Sequence, residues 1–150
     1  MLLARLSEPF EIVFEGRTLR GKIDAVYRTG DDWEIVDYKS GRPSTTEAKR
    51  VQLQAYAIAA RSGALGDPPV GALDVTFAYF GEGTPIEETE AVDETWFDDA
   101  STTVAGLLAV AEHGPFPAEP SSACRWCDFL HHCEAGKAFL AGPMHDIREE

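Results

Sequence analysis

Alternating apolar and polar residues in the first part of the chain predict three β-strands. The predicted strands cover 10–14, 19–27 and 33–38. Polar turns that contain glycine separate them at 15–16 and 29–32, and short turns of this composition typically join neighbouring antiparallel strands. The pattern therefore predicts an antiparallel meander at the start of the fold.

Helices and two further strands follow the meander. In order, they are a helix capped by Thr45 or Thr46 that ends near Arg61, strands at 72–80 and 86–91, a helix capped by Asp93 that ends near His113, and a short helix at 134–140. The order β-β-β-α-β-β-α is typical of a mixed α/β domain, in which a helix packs on a twisted sheet. We therefore expect one domain over 1–150.

Two acidic side chains and one lysine stand beside the most apolar residues of the second and third strands. Asp24 follows Ile23, and Asp37 follows Val36. A charge so close to the core needs a partner or a function, because burying an unpaired charge costs free energy. Since side chains alternate along a strand, Asp37 and Lys39 point to one face, and Asp24 reaches the same place if the strand register allows it.

Two carboxylates with a neighbouring ammonium group predict a site for Mg²⁺ or Mn²⁺. Magnesium prefers oxygen ligands and keeps several waters. Asp24, Asp37 and the backbone carbonyl of Tyr38 would supply protein ligands and leave positions for a phosphate oxygen and a water. Lys39 would orient that water and offset charge in the transition state. The alternative is a solvent-facing Asp–Lys pair on a half-buried strand, which is common.

Three sequence blocks together resemble a known nuclease family. They are GKID at 21–24, IVDYKSG at 35–41 and QLQAY at 52–56. This combination is similar to the RecB-type nucleases of the PD-(D/E)xK superfamily, which include the nuclease domains of RecB, AddA/AddB and AdnA/AdnB helicase–nucleases. The resemblance implies a restriction-endonuclease-like core, a twisted mixed β-sheet flanked by helices. It also implies that Asp24 and Asp37 are metal ligands.

The same resemblance assigns roles to three further residues. Lys39 corresponds to the catalytic lysine, and Gln52 and Tyr56 correspond to residues that brace the site and contact the nucleic acid backbone. Positions four apart share one face of a helix, so Gln52 and Tyr56 can both face the site. Without the strand motifs, these two residues are equally typical of an amphipathic helix with an interfacial tyrosine.

The resemblance implies a metal-dependent DNA exonuclease or endonuclease that works within a helicase–nuclease in double-strand break repair and recombination. Its expected partners are DNA, as single strands or duplex ends, and helicase domains in the same polypeptide or in a partner subunit. Two other functions stay open. One is a nuclease-like domain with little or no activity that binds DNA or serves a structural role, and the other is a Zn- or Fe–S-binding interaction module.

A cysteine-rich segment follows an extended proline arm within 115–140. It contains Cys124, Cys127 and Cys133. The C-x2-C spacing brings two sulfurs onto one metal or cluster, and the segment resembles the three C-terminal ligands of a [4Fe–4S] cluster in the AddB and AdnB branch. The fourth ligand is then expected before Met1, which suggests a C-terminal fragment of a larger protein. Zinc held with His131 or His132, or reduced thiols without metal, are the alternatives.

The charge distribution predicts that this chain binds nucleic acid weakly by itself. The net charge is −13, and residues 62–150 carry 17 acidic and 3 basic residues. A lone module that binds duplex DNA is usually more basic, so other domains or subunits are expected to deliver the DNA. No apolar run is long enough to cross a bilayer, and we expect a cytoplasmic protein without a membrane partner.

Overall fold

The computed structural model describes residues 2–41, 43, 47–81 and 83–142. Its elements are β1 (Leu2–Phe14), β2 (Arg17–Thr29), β3 (Asp32–Lys39), α1 (Glu47–Arg61), β4 (Leu73–Tyr79), β5 (Ile86–Ala91), α2 (Glu94–His113) and α3 (Glu134–Ala141). Two short 3₁₀ turns, Ser122–Trp126 and Leu130–His132, precede α3. The chain forms two compact units, Met1–Glu112 and His113–Glu150.

The predicted elements and their order are confirmed. The α2 cap is confirmed as well, because the Asp93 carboxylate accepts a hydrogen bond from the Trp96 backbone N–H at 2.8 Å. The predicted caps of α1, Thr45 and Thr46, lie outside the described residues. The first strand is longer than predicted and begins at Leu2. Its early residues lie along the sheet edge and many are exposed, so backbone pairing with β2 holds them without hydrophobic alternation.

Five strands form one mixed sheet in the order β1-β2-β3-β4-β5. The pairs β1–β2, β2–β3 and β4–β5 are antiparallel, and β3–β4 is parallel. Parallel neighbours need a crossover connection, which α1 provides. The predicted fold class, a mixed α/β restriction-endonuclease-like core, is therefore confirmed.

The hydrophobic core lies between one face of the sheet and α1. Its fully buried members include Ile23, Val26, Ile35, Leu53, Ala57, Leu65 and Val75. Side chains alternate along β3, so Asp37 and Lys39 continue the face on which Ile35 lies. The charged side chains of Asp37 and Lys39 therefore lie at the end of the hydrophobic core, beside α1. None of the described helices combines the length and the apolar character that a bilayer crossing requires.

Gly71 fits where the loop before β4 approaches the turn between β2 and β3. Its N–H donates to the Asp31 carbonyl at 3.0 Å, and the next N–H, of Ala72, donates to the Asp32 carboxylate at 2.7 Å. A Cβ on Gly71 would lie 2.9 and 3.0 Å from backbone atoms of Asp31. We expect Gly71→Ala to lower the free energy of unfolding by about 1–3 kcal/mol in denaturant titrations. Gly106→Ala is the control, because a Cβ there meets nothing within 4 Å.

The control should shift stability in the opposite direction. Gly106 lies in the middle of α2 on an exposed surface. Alanine there should raise the free energy of unfolding by about 0.5–1 kcal/mol, since glycine loses more backbone freedom in a helix. Equal changes in the two variants would contradict the close approach at Gly71.

Candidate active site

Asp24 lies where β2 and β3 stop pairing through their backbones. The last backbone pair is Ala25 with Val36. Immediately beyond it, Oδ2 of the half-buried Asp24 accepts a hydrogen bond from the Tyr38 N–H at 3.0 Å. A side chain thus takes the place that a strand carbonyl would otherwise fill. This bond fixes the Asp24 carboxylate against the strand that carries Asp37.

Asp37 is a carboxylate in the core, with 1% of its surface exposed. Its Oδ2 lies 2.7 Å from the Lys39 ammonium, yet that oxygen has no partner with hydrogen-bond geometry among the described residues. Burial raises the pKa of Asp37, Lys39 opposes the rise, and the charge of Asp24 adds to it. The arrangement places two carboxylates close together, with one ammonium group beside the buried one.

Lys39 begins a chain of hydrogen bonds that crosses from β3 to α1 and returns to β2. Its ammonium donates to Gln52 Oε1 at 2.9 Å, and Gln52 Nε2 donates to Tyr56 Oη at 2.6 Å. Tyr56 Oη then donates to the Lys22 carbonyl at 2.7 Å. Burial raises the pKa of Tyr56, so the hydroxyl keeps its proton and remains the donor. The chain fixes the position of the Lys39 ammonium from both sides.

The structure thus brings together the five side chains that the sequence predicts at the site. Asp24, Asp37 and Lys39 come from the sheet, and Gln52 and Tyr56 come from one face of α1. The Tyr38 carbonyl stays a predicted ligand. No three Cys, His, Asp or Glu residues in the described part of the chain group closely enough to hold a metal by themselves. A divalent ion here would take two carboxylates and complete its shell with carbonyl, water or substrate oxygens, as Mg²⁺ commonly does.

Two residues near the site were not predicted from the sequence. The ammonium of Lys49 lies 5.9 Å from the centre of the Tyr79 ring, and its charge lowers the pKa of Asp37. Tyr79 pairs with Lys39 across β3 and β4, and its buried hydroxyl has no hydrogen bond within the described residues. The sequence position of Lys49 could have indicated that it lies near the site. It stands three residues before Gln52, and residues three apart are neighbours on a helix surface.

The cysteine segment does not bring its three thiols together. A Cβ on Gly136 would lie 3.5 Å from both the Cys124 and Cys133 sulfurs, so these two face the same glycine. Each also accepts a backbone hydrogen bond, from Ser121 at 3.4 Å and from Gly136 at 3.3 Å. Cys127 is exposed, and no metal-holding trio exists within the described residues. The segment presents a pair of sulfurs.

The sequence profile of the PD-(D/E)XK nuclease superfamily matches residues 4–134. The chain belongs to the PD-(D/E)XK nuclease superfamily. Nucleases of this superfamily typically use a divalent metal, which suits the neighbouring carboxylates of Asp24 and Asp37.

Two solved structures share the fold. The protein SSO0001 is 18% identical with a TM-score of 0.52, and the alignment covers 88% of this chain and 60% of that one. A protein from Eubacterium rectale described as a "putative exonuclease" is 17% identical with a TM-score of 0.54, covering 93% of this chain and 54% of that one. The chain therefore spans little more than half the length of these solved chains. No curated protein matches it.

Proposed function

We propose that this chain is a nuclease domain that hydrolyses DNA phosphodiester bonds with Mg²⁺ or Mn²⁺ held by Asp24 and Asp37. One observation carries the proposal: the buried Asp37 carboxylate lies close enough to Asp24 for the two charges to repel each other, and its Oδ2 lies 2.7 Å from the Lys39 ammonium. Two carboxylates that share one buried site repel each other, and a divalent cation between them offsets that repulsion. Two carboxylates and one ammonium suit a hard divalent ion and a phosphate.

The remaining residues orient the reacting groups. When bound, the metal would polarise the phosphate and lower the pKa of a water. Lys39 would donate to that water or to a phosphate oxygen, and its fixed position reduces the reorganisation needed in the transition state. Gln52 and Tyr56 hold Lys39 in place through their hydrogen bonds. The Tyr38 carbonyl is the proposed third protein ligand.

We further propose that the domain works in a helicase–nuclease in double-strand break repair and recombination. The charge distribution supports this role, because a chain with net charge −13 attracts DNA weakly and benefits from a partner that supplies the strand. DNA, as single strands or duplex ends, is the proposed substrate. Helicase domains, in the same polypeptide or in a partner subunit, are the proposed source of that substrate.

The direct test is cleavage of labelled DNA by the purified chain. Linear duplex and single-stranded DNA, labelled at either end, are incubated with Mg²⁺, with Mn²⁺ or with a chelator. We expect cleavage with either metal and none with the chelator, and the labelled ends distinguish exonuclease from endonuclease products. Cleavage that persists in the chelator would contradict the proposed metal role. DNA binding without cleavage under any metal would favour the non-catalytic alternative.

Tyr56→Phe tests the hydrogen-bond chain behind Lys39. The hydroxyl both accepts from Gln52 and donates to the Lys22 carbonyl, so its removal frees Gln52 and the lysine that it positions. We expect the cleavage rate to fall about 10- to 100-fold, as it does when groups that orient metal-site residues are lost. The measurement is the single-turnover rate at saturating metal.

Tyr27→Phe is the matched control for this prediction. Its hydroxyl also shares a hydrogen bond, 2.6 Å from Tyr38 Oη, but Tyr27 packs in the smaller cluster with Ala25, Val36 and Ala78, outside the main core. The control should keep the wild-type rate. An equal loss in the two variants would point to general weakening of the sheet and contradict a positioning role for Tyr56.

We also propose that the cysteine segment binds a metal, as part of a [4Fe–4S] cluster or with zinc. The support is the shared approach of Cys124 and Cys133 to Gly136 and the backbone N–H donor at each sulfur. Cys127 would have to join them, with a fourth ligand from elsewhere or from a histidine. Metal analysis and the visible absorption spectrum of protein purified without oxygen test this. Protein free of iron and zinc would leave reduced thiols as the correct interpretation.

A further inference from the structure

A second candidate site lies between α1 and α2, apart from the catalytic residues. It is a cavity of about 320 Å³ lined by Arg50, Gln54, Trp96, Asp99, Thr102 and Thr103. Residues two apart on a helix do not face each other, so Gln54 points away from the side of α1 that carries Gln52. The volume lies at the lower end of the range for pockets that bind small ligands or single side chains.

Gln54, which lines this cavity, carries an unsatisfied acceptor. The residue is 8% exposed, and its Oε1 is buried with no hydrogen-bond partner in the described part of the chain. A buried amide oxygen without a donor costs free energy, and most such groups in folded proteins are paired. An N–H donor that enters the cavity would satisfy this oxygen once the amide turns toward it.

The charges around the cavity favour a cation. Arg50 is already neutralised, because its guanidinium donates to Glu90 at 2.8 Å, and Glu90 also accepts from the Trp96 indole N–H at 2.5 Å. Asp99 makes no ion pair with any residue that the structure describes. Residues 86–99 contain seven acidic and no basic side chains. The resulting negative potential attracts cations and repels the phosphates of nucleic acid.

We propose that this cavity receives an arginine side chain from a basic polypeptide partner. A guanidinium group carries five N–H donors in one plane, enough to serve Gln54 Oε1 and the Asp99 carboxylate together, and its plane can stack on the partly exposed ring of Trp96. A metal ion does not suit the cavity, because Asp99 is the single carboxylate among the residues that line it and Arg50 brings a positive charge. The inference is independent of the proposed nuclease activity.

The test uses the full chain and a short peptide of alternating glycine and arginine, with the matching lysine peptide and spermidine for comparison. Binding is followed at low salt by calorimetry and by NMR of the Trp96 indole and Gln54 side-chain amide signals. We expect the arginine peptide to shift both signals and to bind more tightly than the lysine peptide. Equal binding of all three cations without a shift of these signals would overturn the proposal, since it would show only general attraction to an acidic surface.

Two variants separate the cavity from the acidic surface around it. Asp99→Asn should weaken binding of the arginine peptide about tenfold, because a hydrogen bond to a charged partner is lost. Asp98→Asn removes the same charge from the neighbouring position, which does not line the cavity, and should change affinity much less. Equal weakening by the two variants would overturn the proposal.

Gln54→Leu provides a readout that does not depend on charge. It should lower affinity for the arginine peptide while raising the melting temperature, because it removes a buried oxygen that has no donor in the free protein. Unchanged affinity in a folded Gln54→Leu protein would contradict the assigned role of the amide.

Discussion

Asp37→Asn should abolish DNA cleavage and leave the metal-free protein at least as stable as the wild type. The asparagine keeps the shape of the side chain but removes the charge that the proposed metal requires. A loss of about a thousandfold or more in rate is expected, since charge stabilisation by a metal is worth several kcal/mol. Stability should not fall, because burial raises the pKa of Asp37 and the folded state therefore disfavours its charged form.

The stability difference should depend on pH. The folded wild type binds a proton at Asp37 more readily than the unfolded chain does, so its stability falls as pH rises from the ordinary carboxyl pKa of 3.8 through the raised value. The Asp37→Asn variant does not lose stability in this way. The difference in free energy of unfolding between the variant and the wild type should therefore increase across that pH range and then become constant. Denaturant titrations of the metal-free proteins at several pH values measure the difference.

The control for this prediction is an exposed acid away from the site. Asp67 lies in the loop between α1 and β4 and is exposed. Asp67→Asn should leave the cleavage rate at the wild-type value. Wild-type cleavage by a folded Asp37→Asn protein would remove this residue from the proposed metal site.

Lys39→Gln should reduce the cleavage rate by about 10²–10³-fold, the usual cost of losing one donor that stabilises transition-state charge. The ammonium lies 2.7 Å from Asp37 Oδ2 and 2.9 Å from Gln52 Oε1, so the glutamine also leaves a buried carboxylate without its counter-charge. The variant should therefore be less stable than the wild type when metal is absent. Single-turnover rates at saturating metal and thermal unfolding measure the two effects.

A double variant separates the two roles of Lys39. In Asp37→Asn with Lys39→Gln, the buried charge is gone, so stability should recover while activity stays absent. Lys137→Gln is the control, since Lys137 pairs with Glu134 on the exposed surface of α3, and it should cleave at the wild-type rate. A double variant as unstable as Lys39→Gln alone would contradict the coupling between Asp37 and Lys39.

The strands and the helix near the site were predictable because each is defined by a pattern within a short stretch of sequence. Alternation defines β2 and β3, and the four-residue spacing of Gln52 and Tyr56 places them on one helix face. The strand register that brings Asp24 beside Asp37 depends on tertiary pairing, which the sequence pattern leaves open.

The parts that were missed depend on contacts between distant segments. Lys49 and Tyr79 meet only because β4 lies parallel to β3 and α1 crosses between them. The early part of β1 is held by backbone pairing that leaves no hydrophobic period. Cysteine spacing predicts thiols on one metal, but the directions of the Cys124 and Cys127 side chains depend on a 3₁₀ turn that the spacing does not indicate.

The hydrogen bond from the Tyr38 N–H to Asp24 lets the geometry of the sheet set the distance between the two proposed metal ligands. One carboxylate is tied to the backbone of the strand that carries the other, so strand separation sets their distance more than side-chain rotamers do. Mg²⁺ requires oxygens at about 2.0–2.1 Å in near-octahedral geometry, whereas Ca²⁺ accepts longer and more variable bonds. In the proposed site, the geometry of the β-sheet therefore determines which of these ions is preferred. Substitutions that change the twist of the sheet should alter the relative affinity for Mg²⁺ and Ca²⁺.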